Sequence, residues 1–529
     1  MRWLFVLLIA CGGSTETPSP APSAPSAIAA KCTGSAARKP GQHDVLLLTI
    51  DTLRADRLGY AGHAAASTPN LDALAQRGQA FLQATTPLPR TTPALASMLT
   101  GLQPHHHGAR EVGDKITVKR TIATQLQAHG WKTIGVSAMK VAGPDQGLDA
   151  GFMKFTVEHD ARAMDLTKTA LELAGEVDES CPLMLWIHFA DPHFPYLPPK
   201  GAPQPDGATC RTLGEKAAKG KVRRYKLFSD MGGMASRALE DCKALYDAEI
   251  AYTDTAVGSL MDGLRTLGRT DPLTVFTADH GENMGEWGLF YEHGPNVHDA
   301  SLNIPMVMAG PGIPSGRSLQ VARLEDVRPT LQAMLKVDDP SETTDGADLS
   351  KRWRAQELGP QIALAESGSA LHTRLTDYLV TGRKSRMHCI NGERFSLCRT
   401  SKGRETLYDR NSDPHLRKDV LKTHPEQASG LRTAWKDWPV ERTRQRVART
   451  TRFSLVARPQ LSGGYDKALY DHRADPGLLN DVSSIHPAEF KRLDDALTTW
   501  AAQLDDKPTE IEERSLETEE AMRSLGYIE

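Results

Sequence analysis

The stretch DVLLLTID, residues 44–51, decides the fold class of this chain. Its interior is a continuous run of apolar residues and one threonine, which is typical of a strand buried on both faces of a parallel sheet. The run ends in a carboxylate, Asp51. Ligands of open α/β sheets bind beyond the C-terminal ends of the strands, so Asp51 is the first candidate site residue.

Strands and helices are predicted to alternate along much of the remaining chain. Apolar runs indicate strands at 132–137, 183–191, 273–279 and 304–310, and helical patterns cover 67–78, 93–100, 120–129, 160–178 and 236–267. This alternation favours an α/β fold with a parallel sheet wrapped by helices. Asp191 and His193 follow one strand, and Asp279 and His280 end another. We therefore expect carboxylates and imidazoles at one edge of the sheet.

Length and composition limit the class of protein. The chain has 529 residues, of which 40% are hydrophobic and 24% are charged. These values are typical of a soluble globular protein, and the length suits one large α/β domain with a smaller one appended. The formal net charge of −3 gives no strongly basic surface, so no nucleic-acid partner is expected.

The N-terminus reads MRWLFVLLIAC, which is typical of an export signal. Its apolar core is too short to span a bilayer as a mature helix, and the LIAC that ends at Cys11 resembles a bacterial lipobox. We predict a signal peptide at 1–10, and a lipidated Cys11 that begins a Pro/Ser/Ala-rich tether at 11–41. An ordinary secretory signal is the alternative. The prediction implies an exported protein held by its lipid on a bacterial membrane, facing the periplasm or the surface.

Six cysteines remain after Cys11, and an even number in an exported protein suggests disulfides. The first candidate pair brackets an Asn-Gly hairpin signal at 391–392. In order of support, the pairs are Cys389 with Cys398, Cys210 with Cys242, and Cys32 with Cys181. Six reduced, buried thiols are the alternative.

Several motifs, in order along the chain, resemble the sulfatase branch of the alkaline phosphatase superfamily. They are DVLLLTIDTLRADRLGYAG from residue 44, TPNLDALAQRGQAF from 68, TTPALASMLTGLQPHHHG from 91, WIHFADPHFPYLPP from 186 and TADHGENMGEWG from 277. The resemblance covers roughly residues 42–425 and the terminal AMRSLGYIE. It implies an alkaline-phosphatase-like α/β domain at 42–350, with a mostly parallel sheet flanked by helices, and a smaller C-terminal α+β subdomain at 351–529.

The resemblance also implies roles for four residues. Asp51, Asp279 and His280 would hold one divalent metal ion (Ca, Mn, Mg or Zn), and Thr91 would be the nucleophile beside it. A metal lowers the pKa of a coordinated hydroxyl and neutralises anionic substrate oxygens. Thr91 also precedes a helix whose free N–H groups favour an anion. A helix cap without chemistry is the alternative for Thr91.

Departures from the family pattern bear on the substrate. Sulfatases have a Cys or Ser at the position of Thr91 and convert it to formylglycine, which threonine cannot form. The Arg expected four residues later is Leu95, and Gly294 stands where many sulfatases have a sulfate-binding Lys. Related phosphodiesterases use a threonine nucleophile, so the pattern favours phosphorus over sulfur. Asp191 and His193 lack the Asp-x-x-x-His spacing of a second metal site, which favours one metal.

Two further histidines are candidate catalytic residues. His193, in DPHFPY, resembles the family histidine that protonates the leaving group, a role that suits imidazole because its charge changes near neutral pH. A packed ring in a rigid turn is the alternative. Of His293 and His298, which could line the same pocket, His293 is the better candidate. The three histidines at 105–107 are interpreted as structural or surface residues.

The C-terminal region contains an internal repeat. LYDRNSDPHLRKDV at 407–420 is similar to LYDHRADPGLLNDV at 469–482. A helical stretch follows each copy, at 423–437 and at 486–503. The pattern indicates a duplicated strand-turn-helix unit.

The sequence thus predicts a sulfatase-like, metal-dependent hydrolase or transferase of phosphate or sulfate esters, with a Thr nucleophile and a preference for phosphodiesters. Its substrate would be a small-molecule, glycan or lipid ester. One alternative is a sulfuric ester hydrolase of the arylsulfatase type, and another is a non-catalytic surface lipoprotein that binds an anionic glycan. The intact set of Asp51, Thr91, Asp279 and His280 favours an enzyme, because a decayed site would have lost some of these residues.

Mass spectrometry of the mature N-terminus tests the predicted anchor. We expect the chain recovered from bacterial membranes to begin at a lipid-modified Cys11, and Cys11→Ser to leave the membrane fraction. Cys32→Ser is the matched control, because Cys32 lies outside the lipobox and its loss should not release the protein. An unmodified N-terminus at any other residue would contradict the prediction.

Overall fold

The computed structural model describes residues 28–34, 37–218, 238–286, 290–294, 296–337, 339, 342–354, 362–368, 387–391, 395–400, 405–409, 418–429, 432, 444–459, 464–504 and 518. The predicted signal peptide, Cys11 and the tether as far as residue 27 lie outside these residues. Within them, no helix is both long enough and apolar enough to cross a membrane.

A mixed eight-stranded sheet forms the centre of the main domain. Its strands, with a short hairpin formed by β7 and β8, are β1 (Val45–Ile50), β2 (Gln79–Thr85), β3 (Lys132–Ser137), β4 (Lys154–Val157), β5 (Leu183–Phe189), β6 (Leu273–Ala278), β7 (Asn283–Met284), β8 (Phe290–Glu292), β9 (Asn303–Ala309) and β10 (Gly316–Arg323). The order across the sheet is β10-β2-β9-β6-β1-β5-β3-β4. β1 is fully buried between β5 and β6 and runs parallel to both, which explains its continuous apolar run.

Helices cover the sheet, and local sequence signals set several of their ends. They are α1 (Pro69–Arg77), α2 (Thr91–Thr100), α3 (Pro104–His107), α4 (Ile122–Ala128), α5 (Ala163–Gly175), α6 (Ala208–Ala218), α7 (Leu239–Thr266), α8 (Asp299–Leu302), α9 (Val327–Leu335), α10 (Ser350–Arg354) and, in the C-terminal region, α11 (Pro487–Ala501). Pro69 occupies the first turn of α1, where its missing N–H costs nothing. Gly101 ends α2 in the left-handed conformation, with its N–H donating to Ser97.

The predicted α/β class and mostly parallel sheet are confirmed, with one correction. β9, predicted among the parallel strands, runs antiparallel to both β6 and β2. The described residues between β6 and β9 form the short hairpin and the four-residue α8, and a connection without a long crossover helix suits antiparallel neighbours. β2, β4 and β10 were not predicted; β4 and β10 are edge strands with partly exposed residues, so their apolar signal is weak.

The C-terminal region contains two small antiparallel sheets. Its strands are β11 (Ala363–Glu366), β12 (Met387–Asn391), β13 (Phe395–Thr400), β14 (Glu405–Asp409), β15 (Arg446–Arg449), β16 (Phe453–Pro459) and β17 (Tyr465–Asp471). They pair in the orders β12-β13-β14 and β11-β15-β16-β17. α11 packs on the second sheet through Leu493, Leu497 and Trp500. This arrangement confirms the predicted smaller α+β region.

The internal repeat is a repeat of structure as well as of sequence. In the first copy, the Leu407 amide donates to Asp419 Oδ1 at 3.1 Å, and the Val420 amide donates to the Leu407 carbonyl at 2.7 Å. In the second copy, the Leu469 amide donates to Asp481 Oδ1 at 3.1 Å, and its carbonyl accepts from Val482 at 2.8 Å. The predicted second helix is α11; residues 425–429 of the first are helical, and much of the rest lies outside the described residues.

Two of the three candidate disulfides are present. Cys210 is bonded to Cys242, and Cys32 is bonded to Cys181. Cys389 and Cys398 stand opposite each other in the β12–β13 register, as the hairpin signal predicts, but their side chains lie outside the described part of the structure.

Buried ion pairs join the main domain to the C-terminal sheet. Arg110, after α3, donates two hydrogen bonds of 2.8 Å to the carboxylate of Glu366 on β11. The Glu366 amide donates to the carbonyl of Pro87, four residues before Thr91. Burial alone would raise the pKa of Glu366, but the positive charges of Arg110 and Arg444 outweigh it and lower the pKa to about 2.

Glu366 should therefore stabilise the fold in a pH-dependent way. Because its folded pKa lies below the ordinary value, the contribution is present above about pH 5 and is lost as the pH falls toward about 2. We expect Glu366→Gln to lower the free energy of unfolding by on the order of 3 kcal/mol at pH 7, with the difference from wild type shrinking by pH 3. Urea unfolding measures both values.

The matched control is Glu489→Gln, which breaks a more exposed pair with Arg492 on α11. Surface pairs contribute about 0–1 kcal/mol, so this variant should stay close to wild type at both pH values. A Glu366→Gln variant that matched this control would show that the buried pair does not stabilise the junction.

Candidate active site

Two carboxylates lie side by side at the C-terminal ends of β1 and β6. Ile50 and Ala278 are register partners in these adjacent parallel strands, and Asp51 and Asp279 directly follow them. Both acidic side chains are fully buried. The strand-end expectation is therefore confirmed for this pair, and the sheet register is what brings them together.

The carboxylate oxygens are only partly satisfied by hydrogen bonds. Asp279 Oδ1 accepts from the amides of Thr52 (3.1 Å) and His280 (2.8 Å). Asp279 Oδ2 and both side-chain oxygens of Asp51 have no hydrogen-bond partner in the described structure. Burial, reinforced by the negative charge of Asp279, raises the pKa of Asp51 well above its ordinary value.

Two buried imidazoles approach this carboxylate pair. His280 Nδ1 is 3.0 Å from the Gly281 carbonyl, and its Nε2 is 3.2 Å from Asp279 Oδ2 and 3.8 Å from Asp51 Oδ1. His188, on β5, has a ring nitrogen that lies with carboxylate oxygens of Asp51 and Asp279 in a group whose members are within 4.8 Å of one another. Burial lowers the pKa of both imidazoles, to about 4 for His188.

This donor set fits a divalent cation. Buried like-signed carboxylates repel each other, and oxygens without partners carry a desolvation cost. A cation between them would offset both costs, and neutral imidazole and carboxylate are common metal ligands.

The two adjacent threonines of α2 have different surroundings. Thr92 Oγ1 donates to the Val141 carbonyl at 2.7 Å and accepts from the Gly113 amide at 2.9 Å, so it holds neighbouring loops in place. Thr91 Oγ1 lies 3.4 Å from His280 Nε2. Thr91 is thus the hydroxyl that faces the carboxylate–imidazole cluster, at the first residue of α2.

Two more of the predicted histidines extend this cluster. The ring of His293 stacks against that of His280, with centroids 4.2 Å apart, and the ring of His193 meets His293 edge-on at 5.5 Å. His293 Nδ1 is 3.2 Å from Glu282 Oε1, and His193 Nδ1 is 2.7 Å from the Phe194 carbonyl. The rings are therefore oriented by hydrogen bonds at Nδ1.

Other polar residues singled out in the sequence have structural surroundings. The Asp191 carboxylate accepts hydrogen bonds from the Arg162 guanidinium at 2.6 Å and from the first amide of α5 at 2.8 Å. His298 caps α8, and the charges that act on it come from Arg458, Asp299 and Glu286. The interpretation of residues 105–107 as structural agrees with the contacts of His107, which is buried and 3.0 Å from Ser97 Oγ.

Sequence reasoning missed three residues around the site: His188, Glu282 and Arg90. A histidine inside the otherwise apolar strand 183–189 was a usable signal for His188. Gly294 has a φ of 97°, in the left-handed region that favours glycine, and a Cβ there would lie 2.4 Å from Nε of the buried Arg90, the residue before Thr91. Both features disfavour a lysine at this position. The charge of Arg90 adds to burial in lowering the pKa of His280.

Fold and site together define an ester hydrolase of the alkaline phosphatase superfamily. The sequence profile of the sulfatase family matches residues 43–337, more than half of the chain. The chain belongs to the sulfatase family. Members of this family typically use a divalent metal ion, in keeping with the donor set at the strand ends.

Individual relatives have low sequence identity to this chain but align with it over most of its length. An arylsulfatase of Clostridium perfringens is 24% identical over 446 residues, which cover 70% of this chain and 88% of that protein. A choline-sulfatase of Rhizobium meliloti is 26% identical over 404 residues, which cover 63% and 76% respectively. Among solved structures, the phosphonate monoester hydrolase of Agrobacterium radiobacter aligns with a TM-score of 0.59 at 20% identity, covering 88% of this chain and 96% of that one. These likenesses support the fold.

Metal analysis of purified variants tests the donor set. We expect wild-type protein to contain a divalent metal. In Asp51→Asn and in Asp279→Asn the metal content should be at least about tenfold lower, because a charged ligand is gone. Both variants should stay folded, because the substitution relieves the repulsion between the two carboxylates. Elemental mass spectrometry gives the metal content, and circular dichroism reports the fold.

Asp254→Asn is the matched control. Asp254 is also a buried carboxylate, but it accepts from Asn70 and from the amide of Leu71 on α1. Its variant should keep the metal. Equal metal content in the wild type and in both strand-end variants would reject the site.

Proposed function

We propose that this protein is a metal-dependent hydrolase or transferase of phosphate-type esters, with Thr91 as its nucleophile and phosphodiesters as preferred substrates. The observation that carries the proposal is the position of the Thr91 hydroxyl. It lies at the start of α2 and 3.4 Å from His280 Nε2, beside the buried carboxylates Asp51 and Asp279.

In the proposed mechanism, Asp51, Asp279 and His280 would hold a divalent metal ion next to Thr91. A bound divalent ion supplies positive charge that neutralises substrate oxygens and favours the ionised form of a nearby hydroxyl. The first turn of α2 presents backbone N–H groups and the positive end of the helix dipole to the same anionic group. Thr91 Oγ1, after losing its proton to water, attacks the phosphorus, and the phosphorus–oxygen bond to the leaving alcohol breaks on the opposite side.

His193 and His293 are proposed to manage the proton of the leaving group. With Nδ1 of His193 donating to the Phe194 carbonyl, the other ring nitrogen is free of its proton in the neutral ring and carries it in the charged ring. Glu282 orients His293 in the same way, through Nδ1. A charged imidazole protonates the departing oxygen and returns to neutral.

The preference for phosphorus rests on Thr91 and Leu95. Threonine cannot form formylglycine, and Leu95 is fully buried in the core, so an arginine at this position would bury a charge. A threonine ester formed in the first step must be cleaved by a second attack at phosphorus. Water as the second nucleophile gives hydrolysis, and an alcohol gives transfer.

Sulfate ester hydrolysis is the second candidate function. It is favoured by the curated relatives, which include an arylsulfatase and a choline-sulfatase. Under this alternative the same metal and histidines would act on a sulfate ester without formylglycine.

We also propose that the protein is exported and anchored by lipid on Cys11, where it would meet small-molecule, glycan or lipid esters. The two disulfides support an oxidising compartment, since such bonds are rare in the bacterial cytosol. The proposed division is a signal peptide at 1–10, a tether at 11–41, a catalytic domain at 42–350 and a C-terminal subdomain at 351–529.

The nucleophile is tested by kinetics on aryl phosphodiesters, phosphomonoesters, phosphonate monoesters and sulfates. Thr91→Ala should lower kcat/KM on the best substrate by on the order of a thousandfold, because it removes the attacking oxygen. Thr91→Ser should retain part of the activity, because the hydroxyl remains. Thr92→Ser keeps the bonds of its own hydroxyl and serves as the matched control, with activity near wild type.

Three results decide among the alternatives. Undiminished activity in Thr91→Ala would leave Thr91 as a helix cap. Native protein that cleaves aryl sulfates well and ignores every phosphoester would replace the first candidate with the second. Metal-loaded protein that binds anionic glycan but cleaves none of the panel would favour a binding lipoprotein.

A further inference from the structure

His188 stands one level below the carboxylates on the same face of the sheet. Thr49 and His188 are register partners on β1 and β5, and Thr49 Oγ1 lies 2.9 Å from His188 Nδ1. Side chains two residues apart on a strand share a face, so Asp51 lies above Thr49. The ring of His188 therefore extends from the interior of the sheet toward the carboxylates at its edge.

Hydrogen bonds around Thr49 determine which ring nitrogen of His188 carries the proton. Thr49 Oγ1 accepts from Trp186 Nε1 at 3.0 Å and donates its single proton to the Ile187 carbonyl at 3.2 Å. With that proton used, His188 Nδ1 must be the donor to Thr49 Oγ1. Nε2 of the neutral ring then has a free lone pair.

This lone pair lies among other buried electron-pair donors that a bound cation would satisfy. His188 Nε2 is fully buried and has no hydrogen-bond partner among the described residues, as is true of both oxygens of Asp51 and of Asp279 Oδ2. A ring nitrogen of His188 and one carboxylate oxygen each from Asp51 and Asp279 lie within 4.8 Å of one another. All of them are electron-pair donors, so packing them together without an ion would be repulsive and would leave each unsatisfied.

We propose that His188 is a ligand of the metal, which is then held by two carboxylates and two imidazoles. This inference rests on the metal site proposed above and adds a residue to it from inside the sheet. Imidazole ligands suit Zn²⁺, whereas Ca²⁺, Mg²⁺ and Mn²⁺ prefer oxygen donors. The site therefore selects a transition metal, and Thr49 and Trp186 are positioning residues that keep the ligand nitrogen unprotonated.

His188→Asn tests this assignment with little change of shape. The Asn amide keeps a donor near the position of Nδ1 for Thr49, but it removes Nε2. We expect the affinity of the metal-free protein for Zn²⁺, measured by competition with a chromophoric chelator, to fall by at least roughly 10- to 100-fold. Ca²⁺ affinity should change by no more than about threefold, because nitrogen contributes little to that ion.

The matched control is His107→Asn. His107 is an equally buried histidine whose ring nitrogens contact Ser97 Oγ and the Ala109 amide, away from the carboxylates. It should leave Zn²⁺ affinity unchanged. A second variant, Thr49→Val, removes only the hydroxyl and should weaken Zn²⁺ binding by about tenfold, with Thr49→Ser restoring it.

X-ray absorption spectroscopy of the zinc-loaded protein counts imidazole ligands directly. Two imidazoles in the wild type and one in His188→Asn would support the proposal. One imidazole in both proteins, or Zn²⁺ affinity in His188→Asn equal to that of His107→Asn, would overturn it. Asp51→Asn separates the two hypotheses: loss of metal there but not in His188→Asn rejects only the role of His188, and retention in both rejects the whole site.

Discussion

The burial of two adjacent carboxylates is the constraint on which the rest of this site depends. Asp51 and Asp279 follow register partners on neighbouring parallel strands, so the sheet itself forces their charges together in a region without solvent. Amides of Thr52 and His280 satisfy one oxygen, and the others face buried imidazoles. Positive charge at that point would offset this cost, and the arrangement of the strands therefore supports the proposed metal site.

The C-terminal region contacts segments next to the site. The Glu366 amide donates to the Pro87 carbonyl and the Gly368 amide to the Gly294 carbonyl, in the segments that lead to Thr91 and away from His293. A Cβ on Gly368 would lie 2.5 Å from Arg90 Nε, so glycines on both segments leave room for this guanidinium. The smaller region therefore packs beside the segments that carry Thr91 and His293, and the buried contacts of Glu366 hold it there.

Much of the fold was predictable because the relevant signals are local. The apolar runs of β1, β3, β5 and β6, the proline at the start of α1 and the glycine at the end of α2 specify elements within a few residues. Edge strands β4 and β10 escaped prediction because partial exposure removes their apolar pattern. The antiparallel direction of β9 was not predicted either, because the direction of a strand depends on the path of the segment that connects it to its neighbour.

The sequence by itself determined which residues end the strands, and so named Asp51, Asp279 and His280 as candidates, while the family resemblance named Thr91. It left open whether Thr91 is a nucleophile or a helix cap. In the structure the two adjacent threonines differ, since Thr92 is hydrogen-bonded to Val141 and Gly113 while Thr91 faces His280. It alone also brings His188 to the carboxylates, and it shows that the least supported of the predicted cysteine pairs, Cys32 with Cys181, is bonded. These contacts join residues that are far apart in the sequence, so only tertiary packing sets their distances.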